Sequence, residues 1–260
     1  MDKKLIIDCK KVLEKYRNRI IQLYSEYALL LNACSIASDR YKNLEYDMIL
    51  STTRNIPLEF KKIFDTDITF DKEDLVIEYT SKLLKVLSNN FIGELISIFD
   101  ACLEELYEEM LKCDKYEENQ IENKIRNSWR NDTIIDYFIN YFKIKKTKDK
   151  FTTPTLAFNL YKELREFRHA IIHNNGVLSN KNKKNLYEIE KSILKECKNE
   201  SLNIENVLIM SKFFKELQFI RNDVLELNVY AIYFLRSWIL DEIDFLDKCI
   251  SEKGYELIYR

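Results

Sequence analysis

Apolar residues recur every three or four positions along most of the chain, which is the spacing of amphipathic helices. The spacing is clearest over residues 3–36, where we predict one long helix. Its apolar stripe comprises Leu5, Val12, Leu13, Tyr16, Ile20, Leu23, Tyr24, Tyr27, Leu31 and Cys34. A second helix is expected over residues 39–50. The periodicity is then lost over residues 51–70, around Pro57, which predicts a linker.

Helical spacing returns after the linker. Asp71 is a suitable N-cap because its carboxylate can accept from the free amides of a first turn. The pattern then stays helical as far as Lys112, with a break expected at the polar residues 88–90. One or two further helices are predicted over residues 117–143.

Two basic segments flank the next helix. KIKKTKDK at 143–150 and SNKNKKN at 179–185 are both expected to be loops. Between them, Thr153 can cap a helix that has Pro154 at its first position, where the missing N–H costs nothing. After the second basic segment, another helix should run to about Cys197.

Glycine and proline are scarce, with three and two copies in 260 residues. Because strand-rich folds need turn residues often, this scarcity favours long helices. Residues 199–210 are ambiguous and residues 211–250 predict one or two strongly apolar helices. We therefore expect an all-α protein, with an N-terminal helical extension over residues 1–60 and a helical domain over 71–255.

Composition narrows the choice of partners and compartment. The chain is 46% hydrophobic and 32% charged, as in soluble globular proteins. Its net charge of −2 provides no global field for nucleic acid, so a polyanion site must be a local patch. We find no apolar run near the ~20 residues of a membrane span, and no signal peptide. The cysteines form no C-x-x-C pair, which favours reduced core thiols in a cytoplasmic protein. The lack of a long apolar run predicts that this protein has no membrane contact.

The segment REFRHAIIHNNG, residues 165–176, contains both histidines of the chain, His169 and His173. It can be read simply as a helix end. Asn175-Gly176 would supply a left-handed stop, and His173 would face the negative end of the helix dipole. The core side would then be formed by Leu160, Leu164, Phe167 and Ile171.

A second face of the same helix argues for more than a cap. It is formed by Phe158, Tyr161, Arg165, Arg168, His169 and Ile172, at spacings of three and four. A helix that is apolar on two sides usually packs on both. In addition, imidazole can exchange a proton near neutral pH, and guanidinium can hold two phosphate oxygens. Arginine and histidine are therefore sufficient to cleave RNA without a metal.

Arg168-His-Ala-Ile-Ile-His173 resembles the R-x4–6-H signature of the HEPN superfamily, the higher eukaryotes and prokaryotes nucleotide-binding domains. The trailing HNNG and the segment FIGELISIFDACLEELYEEM, residues 91–110, are also similar to its members. The resemblance covers roughly residues 72–250. It implies a helical bundle that dimerises with two motifs facing each other. Active members are metal-independent endoribonucleases, whereas many others are thought to be non-catalytic binding modules.

The resemblance also implies roles for individual residues. Arg168 would stabilise the phosphate in the transition state, and His173 would act as acid or base. His169 would be the polar helper beside them. Asp100 or Glu94 would be an acidic partner from the earlier helix.

Further residues are expected to support this site. Arg165 and Asn174 flank the motif, and the two basic segments would contact RNA phosphates. Their lysines are Lys143, Lys145, Lys146, Lys181, Lys183 and Lys184. The implied partners are RNA, a second copy of the chain, and an antitoxin or other regulatory protein. No cofactor or metal is required, and the implied role is that of a prokaryotic toxin or anti-phage effector.

Other interpretations stay open. The motif could belong to a non-catalytic module that binds RNA, nucleotide or protein, or it could merely cap a helix in a structural adaptor. His169 and His173 have metal-pair spacing, but the residues between them lack the glutamate of H-E-x-x-H. Arg168 and His173 are also ~140° apart around a helix. They can share a site only if the helix ends or opens near His173 or if a second subunit contributes.

Overall fold

Helix α1 is a single rod of forty residues, Lys3–Lys42. It is the first element of the computed structural model, which describes residues 3–52, 56–57, 68–114, 116–142, 153–204 and 207–258. The separate helix predicted over residues 39–50 is wrong. No glycine or proline interrupts the chain near Asp39, so α1 continues through it and ends at Lys42.

A short antiparallel pair follows α1. Strand β1, Leu50–Ser51, pairs with β2, Thr69–Phe70. Most of the segment between them, where a linker was predicted, lies outside the described residues. The pair precedes Asp71, where the helical part of the chain resumes.

A nearly continuous helical segment runs from Lys72 to Cys113. It comprises α2, Lys72–Ile77, a π-turn at Glu78–Lys82, and α3, Leu83–Cys113. Asp71 caps it as predicted, because its carboxylate accepts from the Asp74 amide at 2.8 Å. The break expected at residues 88–90 is wrong. Ser88 is buried within the helix, and its hydroxyl is satisfied there because it donates to the Leu84 carbonyl at 2.7 Å.

Four shorter elements complete the middle of the chain. They are α4, Glu118–Arg126; a 3₁₀ turn, Arg130–Asp132; α5, Thr133–Phe142; and α6, Pro154–Asn174. Helix α6 carries REFRHAIIHNNG and is called the motif helix below. Its predicted cap is confirmed, since Thr153 Oγ1 accepts from the Leu156 amide at 3.1 Å.

Helix α7, Asn180–Asn199, begins where a basic loop was predicted, so that prediction is wrong. Ser179 is its N-cap and Asn182 closes a capping box three residues later. The hydroxyl of Ser179 accepts from the Asn182 amide, which satisfies a free donor of the first turn. The lysines of this segment therefore lie on a helix.

The C-terminal part contains a hairpin that the apolar pattern did not predict. Helix α8, Met210–Glu216, is followed by β3, Ile220–Arg221, and β4, Val224–Leu225, and then by α9, Val229–Ile258. Asn222 and Asp223 join the strands with φ of 49° and 63°. These residue types tolerate left-handed backbone, which a two-residue hairpin turn needs.

One hydrophobic cluster links the helices. It includes residues of α1 between Leu5 and Tyr27, together with residues of α3, α5, α6 and α9. Helix α1 packs along α3, and the motif helix packs between α3 and α7. The structure is 79% helical with only short strands, which confirms the all-α class. The division into residues 1–60 and 71–255 stays a prediction.

The cysteines mostly line this core. Cys9, Cys34, Cys102, Cys197 and Cys249 are buried and unpaired, as the sequence predicted. Cys113, at the end of α3, is exposed.

Two helical segments are long and apolar enough to cross a membrane by length and composition, Lys4–Lys42 and Lys72–Cys113. In the second segment, 50% of the most apolar 18-residue stretch is buried, as expected for a core helix. In the first segment, only 22% of that stretch is buried. Exposed apolar residues of α1 include Leu29 and Ile36, at 69% and 70%. A cytoplasmic location without membrane contact therefore stays a prediction.

Candidate functional site

The motif helix ends as the sequence predicted, in left-handed backbone at Asn175 and Gly176. Their φ angles are 51° and 83°. Both residues donate their N–H groups to the Ala170 carbonyl, which satisfies the end of the helix. The sharp reversal leaves the last turn, including His173, at the surface.

The β3–β4 hairpin holds the chain that leaves this helix. Leu225 donates its amide to the Gly176 carbonyl at 2.8 Å, and Leu178 donates to the Asp223 carbonyl at 2.8 Å. Val177 forms an antiparallel bridge with Val224 between these two bonds. The position of the motif's end is thus set by residues from a distant part of the sequence.

The two imidazoles lie side by side on one face of the motif helix. The ring centroids of His169 and His173 are 4.7 Å apart, with an interplanar angle of 50°. Both residues are exposed. A spacing of four residues places them on adjacent turns, so one phosphate could contact both rings.

Asn182 joins the motif helix to α7 and is only 1% exposed. Its Oδ1 accepts from the Ser179 amide at 3.1 Å and from Asn174 Nδ2 at 3.3 Å. Its Nδ2 donates to Glu166 Oε2 at 2.8 Å and lies 3.2 Å from His169 Nδ1. One buried amide therefore contacts three residues of the motif helix.

Arg165 and Asp100 form an ion pair between the motif helix and α3, with Nε and Oδ1 3.3 Å apart. The guanidinium lies over the Trp129 ring at 3.9 Å, and Asp132 is 3.6 Å from its Nη1. Tyr161 donates its hydroxyl to Asp100 at 2.6 Å. Burial raises the pKa of the Asp100 carboxyl, although Arg165 and the Tyr161 hydroxyl oppose the rise.

Arg168 lies on the side of the motif helix that faces this network. Its charge acts on both Asp100 and Tyr161. Its Nε atom is buried and has no hydrogen-bond partner among the described residues. The motif helix ends at Asn174, one residue after His173, so both Arg168 and His173 lie within it. Arg168 and His173 therefore remain on different faces of one chain.

The other predicted site residues are dispersed. Glu94 accepts from the Tyr27 hydroxyl of α1 at 2.8 Å, so of the two acidic candidates only Asp100 contacts the motif helix. Lys183 pairs with Asp223 of the hairpin at 2.8 Å. Lys181 and Lys184 are exposed near the start of α7. Lys143, Lys145 and Lys146 lie outside the described residues.

A polar cavity of about 370 Å³ opens between the motif helix, α7 and the 3₁₀ turn. Its lining includes cationic, anionic and amide side chains: Asp132, Asn159, Lys162, Arg165, Glu166, Asn185, Glu188, Ile189 and Ser192. Lys162 lies seven residues, or two turns, before His169 on the same stripe of the motif helix. The cavity therefore continues the histidine face toward the start of the helix.

Metal ligands do not cluster in the described part of the chain, where no group of three or more His, Cys, Asp or Glu could hold an ion. His169 and His173 have the spacing of a metal-binding pair, without a third ligand among the described residues. The contact of His169 Nδ1 with Asn182 leaves Nε2 as the ring nitrogen that faces away from α7.

The fold and the site define an all-α protein with a surface of paired histidines and, on the next stripes of the same helix, two arginines. Comparison with known proteins adds no relative: no family model, curated protein or solved structure matches this chain.

Two residues that build the site were missed in the sequence, Asn182 and Glu166. The segment beginning at Ser179 has a hydroxyl three residues before Asn182, which is the spacing of a capping box. Asparagine is not the usual residue at the third position, and the run of lysines favoured a loop. Glu166 lies inside the segment REFRHAIIHNNG, but its asparagine partners come from α7.

Proposed function

We propose that this protein is a metal-independent endoribonuclease of the HEPN type. The observation that carries the proposal is the exposed imidazole pair at the end of the motif helix, with the ring centroids 4.7 Å apart. Arg165 and Arg168 on the neighbouring stripes add the positive charge that a phosphate needs.

The chemistry uses the substrate's own nucleophile. One imidazole removes the proton from a ribose 2′-OH, and the 2′ oxygen forms a bond to phosphorus. The bond from phosphorus to the 5′ oxygen breaks, and that oxygen receives a proton from the second imidazole. Arg168 stabilises the charge that develops on the phosphate. The products are a 2′,3′-cyclic phosphate and a 5′-hydroxyl.

Dimerisation is part of the proposal, because Arg168 and His173 lie on different faces of one helix. A two-fold contact would place the motif of a second copy opposite the first. Ile172, beside the histidines and 50% exposed, is the apolar residue such a contact would cover. Phe158, which the sequence suggested for the same face, is only 2% exposed and stacks on Phe138, so it belongs to the core.

The proposed role is that of a prokaryotic toxin or anti-phage effector in the cytoplasm, with RNA as substrate and an antitoxin or other protein as regulator. This role follows from the resemblance to the HEPN superfamily.

Cleavage of total RNA by the purified protein tests the proposal. Arg168→Ala and His173→Ala should each lower the rate by about 10²–10⁴-fold, the usual worth of a charge-stabilising or proton-transferring group. Arg126→Ala removes an exposed arginine from α4 and is the matched control. Cleavage should survive EDTA and spare DNA, which lacks the 2′-OH.

The same experiment has clear contrary outcomes. Equal rates for the wild type and both motif variants would refute the assignment of Arg168 and His173. Activity lost in EDTA and restored by zinc would replace the proposed mechanism with a metal site at the histidine pair.

A non-catalytic binding module is the second candidate, and one observation favours it. The Nε atom of Arg168 is buried, its charge acts on Asp100, and the residue lies on another face of the helix from His173. In that case the wild type would bind RNA in a salt-dependent manner but leave it intact. Arg168→Ala would then weaken binding without any change in cleavage products.

A further inference from the structure

The orientation of the Asn182 side chain is fixed by partners whose hydrogen-bonding roles are unambiguous. The Ser179 backbone N–H can only donate, and it points at one end of the amide, at 3.1 Å. The Glu166 carboxylate accepts at the other end, at 2.8 Å. The oxygen of Asn182 must therefore face Ser179, and its NH₂ group must face the motif helix.

This orientation determines which nitrogen of His169 carries the proton. The NH₂ group of Asn182 is a donor only and has two hydrogens. One goes to the Glu166 carboxylate at 2.8 Å, and for the other His169 Nδ1, at 3.2 Å, is a nearer acceptor than the Glu166 carbonyl, at 3.4 Å. A neutral imidazole that accepts at Nδ1 carries its proton on Nε2. We infer that Asn182 is a positioning residue that holds His169 in the Nε2–H tautomer, with this N–H directed away from α7.

Glu166 makes the arrangement rigid. Its second oxygen accepts from Asn185 Nδ2 at 2.9 Å, one turn further along α7. The Asn182 oxygen also accepts a hydrogen bond from Asn174 Nδ2. The amide is therefore held at both ends, and a flip would set its oxygen against the Glu166 carboxylate.

The consequence for the reaction rests on the proposed function. With Nε2–H directed outward, neutral His169 is ready to donate a hydrogen bond to a phosphate oxygen. The proton for the departing 5′ oxygen must come from a protonated imidazole, such as His173 of a second copy. His173, on the next turn, is then left to accept the 2′ proton. Asn182 would thus make His169 the hydrogen-bond donor and His173 the proton acceptor before the substrate binds.

Two-bond ¹H–¹⁵N correlation spectra of the ¹⁵N-labelled protein test the inference directly. The chain has only two histidines, so His173→Gln assigns both ring systems. In mildly alkaline buffer, where imidazole is neutral, wild-type His169 should show a protonated Nε2 and a bare Nδ1. Asn182→Asp places a carboxylate opposite Nδ1 and should move the proton to Nδ1.

Asn185→Asp is the matched control, because it makes the same change against the same Glu166 carboxylate. It should leave the His169 tautomer as in the wild type. If RNA is cut, Asn182→Asp should lower kcat by about 10²-fold with little change in KM.

The two measurements judge different statements. Protonation of Nδ1 in wild-type His169 would overturn the inference whatever the activity. The expected tautomer in a protein that cuts no RNA would support the positioning role of Asn182 and refute the proposed function.

Discussion

Glu242 of α9 provides a quantitative test of how burial acts in this fold. Its side chain lies within the helix packing and is 8% exposed. Burial, with a smaller contribution from neighbouring Asp241, raises the pKa of Glu242 from 4.5 to about 8. The carboxyl is therefore neutral in the folded protein under conditions in which the unfolded chain would ionise it.

Glu242→Gln keeps the size of the side chain and removes the ionisation. Between pH 4.5 and about 8 the folded wild type binds the proton more tightly than the unfolded chain does. Wild-type stability must therefore fall as the pH rises through this window. A tenfold change in proton affinity is worth about 1.4 kcal/mol, so the full difference approaches about 5 kcal/mol above the window.

Urea denaturation of both proteins below and above this window measures the effect. The two proteins should have similar free energies of unfolding at pH below 5. At pH above 8 the Gln variant should be more stable by several kcal/mol. The comparison cancels the other titrating groups, which the two proteins share.

Glu252→Gln makes the same change at a half-buried position of the same helix and controls for helix propensity. A stability difference between wild type and Glu242→Gln that stays constant across the pH range would refute the argument. It would mean that Glu242 is solvated in the folded protein.

Two further predictions concern the motif helix. Ile172→Glu should convert a wild-type dimer into a monomer, as measured by light scattering. Ile77→Glu, also at a 50% exposed isoleucine, should leave the mass unchanged. A monomeric wild type would contradict the two-fold contact. Phe158→Ala should lower the free energy of unfolding by about 3–5 kcal/mol in chemical denaturation, because it empties a core position. A loss under 1 kcal/mol would show that Phe158 is not part of the core.

Local signals in the sequence were sufficient to predict where several helices begin or end. Asp71, Thr153 and Asn175-Gly176 act through side chains or backbone within a few residues, so the pattern identifies them. The start of α7 was misread because its lysines resemble a loop and its capping partner is an asparagine. Charge alone does not separate a solvated helix face from a loop.

Long-range pairings could not be predicted. The hairpin at residues 220–225 has strands of two residues, too short for an alternating pattern. The choice between Asp100 and Glu94 depended on the rotation of α3, which is set by packing against α1 and the motif helix. Phe158 was assigned to an open face because the sequence does not show that α5 covers it.

The hairpin that holds Gly176 and Leu178 also sets an order of events during translation. The ribosome releases the motif helix before it releases residues 220–225, which supply the partners of the Gly176 carbonyl and the Leu178 amide. Until then those two groups can form hydrogen bonds only with water. A nascent chain stalled between the two segments therefore carries REFRHAIIHNNG with an unfinished end, and the candidate site is completed late in synthesis.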